Sequence, residues 1–260
     1  MADSIAFPQP AKNLYVWIVI LCLALLAWIV TLQQTLGMLS MQMYGTMGLA
    51  LGPFLCFWTI MMAAMMLPAL APAVSVQYTS LSHQTRNPVA RNVRIAGFLL
   101  GYLCLWLLFG IPVFFLALLG EQLTMHTPVA AVGLGVALFI CAGLYQMTPL
   151  KQRCLAHCSP AVSGPCSPSA TAIDAFSEVK SGLLHGLYCL GCCSSLMLIL
   201  IAVGLMNLPW MLLVTGLVFL EKVSSQGPRL RSWLGFALIF FGLLAFIDPA
   251  LLPGLYAGHF

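Results

Sequence analysis

The chain has 260 residues, of which 62% are hydrophobic and 6% are charged, with ten basic side chains, six acidic ones and a formal net charge of +4. So apolar a composition excludes a soluble globular domain, a disordered chain, a disulfide-stapled secreted module and a nucleic-acid-binding protein. It is typical of a polytopic membrane protein. At about 20 residues per crossing, seven helices take roughly 140 residues, which leaves no room for a separate soluble domain.

Seven apolar segments predict an all-α membrane helix bundle that forms a single domain over residues 1–260. The first follows a polar leader without a cleavage site, so we interpret it as an uncleaved helix. The sixth is short, so either it begins earlier or Glu221 lies within the membrane. The longest connection, 150–182, contains a stretch rich in Pro, Ser and Gly, 159–169, and is predicted to be a cytoplasmic linker loop. The predicted spans are 14–32, 49–76, 95–119, 129–147, 183–206, 208–224 and 233–252.

The basic residues predict the orientation of this bundle, because short cytoplasmic loops keep Lys and Arg while translocated loops lose them. With the amino terminus inside, nine of the ten basic residues fall in the leader or in the loops after spans two, four and six, and the tenth, Lys222, lies at the inner end of span six. The reverse topology would place all ten outside. We therefore expect a cytoplasmic amino terminus and a periplasmic carboxyl terminus, and we attribute the net charge to topology rather than to an anionic partner.

Soft metal ligands dominate the chemistry that the spans can offer. No acidic residue lies in the middle of a predicted span, so hard cations that need several oxygen ligands are poorly served. The chain does have ten cysteines and fourteen methionines. Four of the cysteines are isolated in separate spans and are expected to pack as small buried hydrophobic side chains: Cys22, Cys56, Cys104 and Cys141.

The strongest local pattern lies in span five, where His185, Cys189, Cys192, Cys193 and Met197 share one helical stripe about 140° wide. Thiolate and thioether sulfur select Cu(I), Zn²⁺ or iron–sulfur species. Metal coordination would also make a thiolate tolerable within a membrane. The alternative is that small Gly and Cys side chains simply allow close helix packing here.

Span two carries a methionine stripe, which we define as Met61, Met62, Met65 and Met66, with pairs at i, i+4 spacing. Adaptable core filling and a ladder of metal ligands both explain such a stripe. Counted from the inner ends of spans two and five, the methionine and cysteine clusters both lie roughly 15 Å into the membrane. This shared depth predicts that the two clusters face each other.

Two further sulfur clusters flank that level. On the inner side Cys154 and Cys158 lie at i, i+4 spacing next to His157, and in a reducing cytoplasm such a pair indicates a metal site more readily than a disulfide. On the outer side the loop before span two either captures Cu(I) or dips into lipid, and its methionines are Met38, Met41, Met43 and Met47.

Two polar residues are candidates for supporting the metal ligands from a second layer. His157 stands beside the inner cysteine pair. Glu221 is placed to accept a hydrogen bond from His185 or to pair with Lys180, although a helix-terminal charge at the lipid headgroups is an equally simple interpretation. Lys222 follows Glu221 directly, so we expect it to point elsewhere on the helix.

Between Trp58 and Lys222 the chain resembles a bacterial family of predicted metal-binding integral membrane proteins. The resemblance rests on five blocks, and Ser194 departs from the family pattern, in which an aromatic residue often follows the last cysteine. It implies a metal site and a bacterial inner membrane, but no substrate or reaction. The blocks are Trp58 to Pro72, Lys151 with Cys154, Leu155, Cys158 and Pro160, Gly186 to Cys193 with Met197, Gly204 to Asn207, and Glu221 with Lys222.

These patterns lead to three hypotheses of different classes. The first is a non-enzymatic membrane protein that binds a soft metal, most simply Cu(I) but also compatible with zinc, and either transports it or delivers it to a metallochaperone or metalloenzyme. The second is an assembly or anchoring subunit whose sulfur-rich faces only pack helices. The third is a membrane thiol oxidoreductase that uses Cys192 with Cys193, or Cys189 with Cys192, as its redox pair.

Overall fold

Eight α-helices account for almost all regular structure in the computed structural model, which describes residues 14–38, 46, 48–84, 86–158, 175–223 and 227–255. A 3-10 turn, Pro249–Leu251, follows the last helix. No strand occurs in these ranges. The helices are α1 (Leu14–Met38), α2 (Leu51–Gln84), α3 (Pro88–His126), α4 (Pro128–Gln146), α5 (Pro149–Cys158), α6 (Ala175–Val203), α7 (Leu208–Val223) and α8 (Gly227–Ile247).

Six of these helices, all except α5 and α7, are long and apolar enough to cross a membrane. The predicted all-α, multi-pass membrane fold is therefore confirmed. The remaining expected span, 208–224, corresponds to α7, whose 16 residues reach about 24 Å against a hydrocarbon core of about 30 Å. Because α7 begins at Leu208, it does not gain length at that end, and Glu221 lies in its last turn.

The structure differs from the sequence prediction around the expected linker 150–182. Its first part is the helix α5, which starts with Pro149, a residue well suited to the first turn. Its last part belongs to α6, which begins at Ala175. The Ser- and Pro-rich middle, residues 159–174, lies outside the described residues. The predicted loop was too long because everything between the apolar spans was counted as loop, including the polar helix ends on either side of that middle part.

The central helices are α2 and α6, in which 72% and 67% of the most apolar window is buried, compared with 22% in α1. α6 packs against α3, α4, α5 and α7. α6 contacts α3 unusually closely at two glycines. A Cβ at Gly101 of α3 would overlap the carbonyl oxygen of Val179. A Cβ at Gly182 of α6 would overlap the carbonyl oxygen of Phe98. The glycines thus bring two helix backbones together and place α6 at the middle of the bundle.

A polar network fixes the start of α6 to its neighbours. Glu178 is buried and accepts a 2.6 Å contact from the Arg94 guanidinium of α3. Its second carboxylate oxygen accepts a 2.9 Å hydrogen bond from Gln77 of α2. Three spanning helices are therefore held at a common level by one carboxylate.

The four isolated cysteines do not lie where we expected them. Each is on the exposed surface of its helix rather than buried in the bundle. Because the rest of such a surface is apolar, a cysteine there behaves as a small hydrophobic side chain facing outward. These residues, Cys22, Cys56, Cys104 and Cys141, are all remote from the cysteines of α6 in sequence and provide a natural set of control positions.

Candidate metal centre

Three thiols of α6 converge inside the bundle. The Sγ atoms of Cys189, Cys192 and Cys193 all lie within 4.8 Å of one another, and the residues are at most 1% exposed. The Cys192 and Cys193 sulfurs are 3.2 Å apart. Spacings of three and four residues place side chains on the same face of a helix, so α6 assembles this group without help from a distant loop.

The short helix α5 adds a fourth thiol. The Cys158 Sγ lies 3.7 Å from the Cys192 Sγ, and Cys158 is 3% exposed. It also interacts with Cys189, and this hydrogen bond together with burial raises the pKa of the Cys158 thiol. Cys158 is therefore a neutral thiol at neutral pH, and a metal that binds there displaces its proton. We call the four residues Cys158, Cys189, Cys192 and Cys193 the thiol cluster.

Gly191 allows α5 to approach α6 at this point. A Cβ at Gly191 would lie 2.7 Å from the Cys154 Sγ, and its carbonyl oxygen accepts a hydrogen bond from the Tyr145 hydroxyl. Cys154 is half-buried against this glycine. The inner cysteine pair is therefore divided, with Cys158 joining the thiol cluster and Cys154 lying beside it, closer to the surface.

Cys189 has two polar partners that the sequence analysis missed. The Tyr102 hydroxyl of α3 lies 3.0 Å from its Sγ, and the Lys222 ammonium of α7 donates to the same sulfur at 3.1 Å. Lys222 is 5% exposed. Lys222 does point elsewhere than Glu221, as expected, but the contact of its ammonium with Cys189 was not anticipated; α7 packs beside α6, and both consecutive charged residues are buried. A useful signal was available, since an ionisable residue in a membrane span is usually functional.

Glu221 has a different partner from the two that we considered. Its carboxylate pairs with Lys151 of α5 at 2.8 Å, and both side chains are almost completely buried. The Lys151 ammonium also donates to the Gln146 side-chain oxygen. The pair therefore attaches α5 to α7, and the partner of Glu221 is neither His185 nor Lys180. Glu221 is 3% exposed, so its carboxylate faces the interior of the bundle from the last turn of α7.

Neither predicted histidine joins the thiol cluster. The His185 ring lies 5.7 Å from the Phe98 ring and 6.2 Å from the Tyr102 ring, centroid to centroid. His157 is exposed, stacks on the Tyr188 ring at 4.6 Å and has its Nδ1 atom 2.8 Å from the Arg153 carbonyl oxygen. His185 is thus one turn away from Cys189, and His157 is on the outer surface of α5.

The methionine stripe is buried in the hydrophobic core, as is Met197 of α6. α2 packs mainly against α1, α3 and α7, whereas α6 packs against α3, α4, α5 and α7. The two clusters are therefore in neighbouring parts of the bundle, with α3 and α7 as shared neighbours. The prediction that the outer loop captures Cu(I) or dips into lipid lies outside what the structure describes. The side chains concerned are those of Met38, Met41, Met43 and Met47.

The thiol cluster meets the requirements of a soft-metal site. Two sulfurs bound to one ion at about 2.3 Å are at most about 4.6 Å apart. The closest pairs, at 3.2 and 3.7 Å, satisfy this limit. Thiolates select Cu(I) or zinc, and the burial of all four residues keeps competing water away. These donors therefore fit a copper ion carried as cargo.

The fold and the thiol cluster together define a multi-pass membrane protein with a buried site for a soft metal. A model of the PpoB2 family, described as copper chaperone, matches residues 55–245. The chain belongs to this family, which confirms the metal-related resemblance seen in the sequence. The matched range includes the thiol cluster, Tyr102 and Lys222. A copper-related, metal-binding role follows from the family and the cysteines together. Neither the curated proteins nor the solved structures gave a match.

Proposed function

We propose that the protein is a membrane-embedded copper chaperone that holds Cu(I) on the thiol cluster and delivers it to a metalloenzyme during assembly. The observation that carries this proposal is the convergence of four sulfurs from two helices in a buried site. Membership of the copper-chaperone family supports copper as the cargo. Zinc is the main competitor, because four thiolates also suit a tetrahedral zinc ion.

Within this proposal Cys192 is the central ligand. Its sulfur is in contact with those of both Cys193 and Cys158, so it is able to share an ion with a second thiolate from either helix. Cys189 completes the α6 group. His185, Met197 and the methionine stripe are not among the converging thiols, and we assign them a packing role. Glu221 supports the cluster indirectly by holding α5 in place through Lys151.

Delivery requires that the ion leave the buried site, and α5 offers the shortest path. Exposure falls from the half-buried Cys154 to Cys158 and then to Cys192. We propose that copper is exchanged along these thiols and that Cys154 is the outermost ligand, where a partner protein with its own thiols would accept or donate the ion. The alternative route, across the bilayer through the methionine stripe, would be transport rather than delivery.

The positions of the basic residues support a bacterial inner-membrane location with a cytoplasmic amino terminus. In this orientation α5 and Cys154 face the cytoplasm, which is where a soluble metallochaperone would meet them. With α7 counted as a seventh crossing in addition to the six long helices, the carboxyl terminus would be periplasmic. Two reporters fused to the carboxyl terminus test this assignment, one active only in the cytoplasm and one active only in the periplasm. We expect only the periplasm-active reporter to function.

The decisive experiment compares two sets of serine substitutions in protein purified in detergent and analysed for metal content. C189S/C192S/C193S is expected to lose the copper retained through purification. The matched control C22S/C56S/C104S/C141S changes four exposed cysteines and is expected to keep it. Equal copper in the triple variant and the wild type would refute the proposal.

Two other outcomes would favour the remaining hypotheses. Wild-type protein that binds no copper and has the same thermal stability as the triple variant would favour an assembly or anchoring subunit. A mixed disulfide between the thiol cluster and a partner protein, trapped in cells, would favour a thiol oxidoreductase.

A further inference from the structure

The most unusual charge in the bundle is that of Lys222. Its side chain is buried, and its ammonium donates to the sulfur of Cys189 at 3.1 Å. Burying a cation without compensation is costly, so a lysine at such a position must have a partner that offsets its charge.

The other buried lysine shows what such a partner normally is. Lys151 pairs directly with the carboxylate of Glu221 at 2.8 Å. In the described part of the chain, the hydrogen-bond partner of Lys222 is a cysteine sulfur rather than a carboxylate. The charge of Lys222 is therefore directed at the thiol cluster and is available to the ion bound there.

We propose that Lys222 is the counter-charge of the metal centre and sets its preference for a monovalent over a divalent ion. This inference rests on the proposed function. Two thiolates and Cu(I) carry one net negative charge, which the ammonium cancels. A divalent ion on the same two thiolates, with the other two cysteines protonated, is already neutral, and the ammonium then leaves one net positive charge. Because an uncompensated charge is expensive in a buried site, Lys222 favours Cu(I).

Tyr102 has a different part in this arrangement. Its hydroxyl contacts the same sulfur at 3.0 Å but carries no charge, so it positions Cys189 without changing the net charge of the site. Tyr102 and Lys222 come from α3 and α7, respectively, so they approach Cys189 from two different helices. Removing the hydroxyl with Tyr102→Phe should lower the affinity for Cu(I) and the affinity for Zn²⁺ to the same extent.

The test titrates purified full-length protein with Cu(I) and, separately, with Zn²⁺, each in competition with a chromophoric chelator. In Lys222→Met we expect Cu(I) affinity to fall by about 10–100-fold, the scale of groups that support metal ligands, while Zn²⁺ affinity stays the same or rises. Lys222→Arg keeps the charge and should keep the wild-type ratio of the two affinities. Lys180→Met removes an exposed lysine and is the charge-matched control.

The ratio of the Cu(I) affinity to the Zn²⁺ affinity decides whether Lys222 sets the preference of the site for a monovalent ion. Equal losses for Cu(I) and Zn²⁺ in Lys222→Met would mean that Lys222 is only structural, and unchanged affinities would also overturn the inference. Lys222→Gln replaces Lys222→Met if the latter does not fold, and the same ratio is measured. A wild-type protein that binds neither ion would instead refute the proposed function, so the two failures are distinguishable.

Discussion

The thiol cluster and the methionine stripe are both buried groups of sulfur atoms, but their surroundings differ. Every residue of both groups is at most 3% exposed. The thiol cluster combines two helices and has a tyrosine hydroxyl and a lysine ammonium in contact with its sulfur. The methionine stripe lies on one helix, within the hydrophobic core. We therefore assign the proposed metal site to the group in which buried sulfur converges with polar side chains.

The largest expected effect comes from removing the charges that hold the thiol cluster together. Lys151→Met removes the hydrogen-bonded cation from the buried Glu221 carboxylate, which should lower the free energy of unfolding by about 3–5 kcal/mol. Because α5 is then no longer held to α7, copper retention should fall too. Thermal unfolding in detergent and metal analysis measure the two effects.

The double variant K151M/E221Q is the control for this prediction. It removes both charges, so most of the lost stability should return. If the single and double variants were equally unstable, the ion pair would not be what holds α5.

A smaller effect is expected from the contact that brings Cys158 to the cluster. In Gly191→Ala the added methyl group meets the Cys154 sulfur, and overpacking of this kind costs about 1–3 kcal/mol. Displacement of α5 should also lower Cu(I) affinity by about tenfold, at the lower end of the range for supporting groups. Gly216→Ala, with nothing within 4 Å of the new Cβ, is the matched control. Wild-type affinity in Gly191→Ala would show that the α5 contact is dispensable.

The smallest effect is expected in the methionine stripe itself. M65L/M66L conserves volume and removes both thioethers, so each substitution should cost less than about 1.5 kcal/mol of stability. Copper content and Cu(I) affinity should remain those of the wild type. A clear loss of Cu(I) affinity with normal stability would make the stripe part of the metal path, and transport across the bilayer would then replace delivery as the better hypothesis.

Much of the candidate site was predictable from local spacing. Cys189, Cys192 and Cys193 meet because positions three and four apart on a helix share a face, which requires no knowledge of the fold. Local spacing says nothing about contacts between helices. Shared depth in the membrane predicted that the methionine stripe faces the cysteines, but depth leaves the rotation of each helix and the choice of its neighbours undetermined. For the same reason neither the contact of Lys222 with Cys189 nor the partner of Glu221 was found from the sequence.

By itself, the amino-acid sequence determined that this protein is an all-α membrane protein with a stripe of thiols on one helix, because apolar length and helical periodicity are properties of each segment alone. Only the tertiary structure decided that Cys158 joins that stripe, that Lys151 neutralises Glu221 and that Lys222 and Tyr102 contact Cys189. These contacts depend on which helices are neighbours and how each is rotated. Both are settled by packing over the whole bundle, in which glycines such as Gly101, Gly182 and Gly191 set how closely the helices approach.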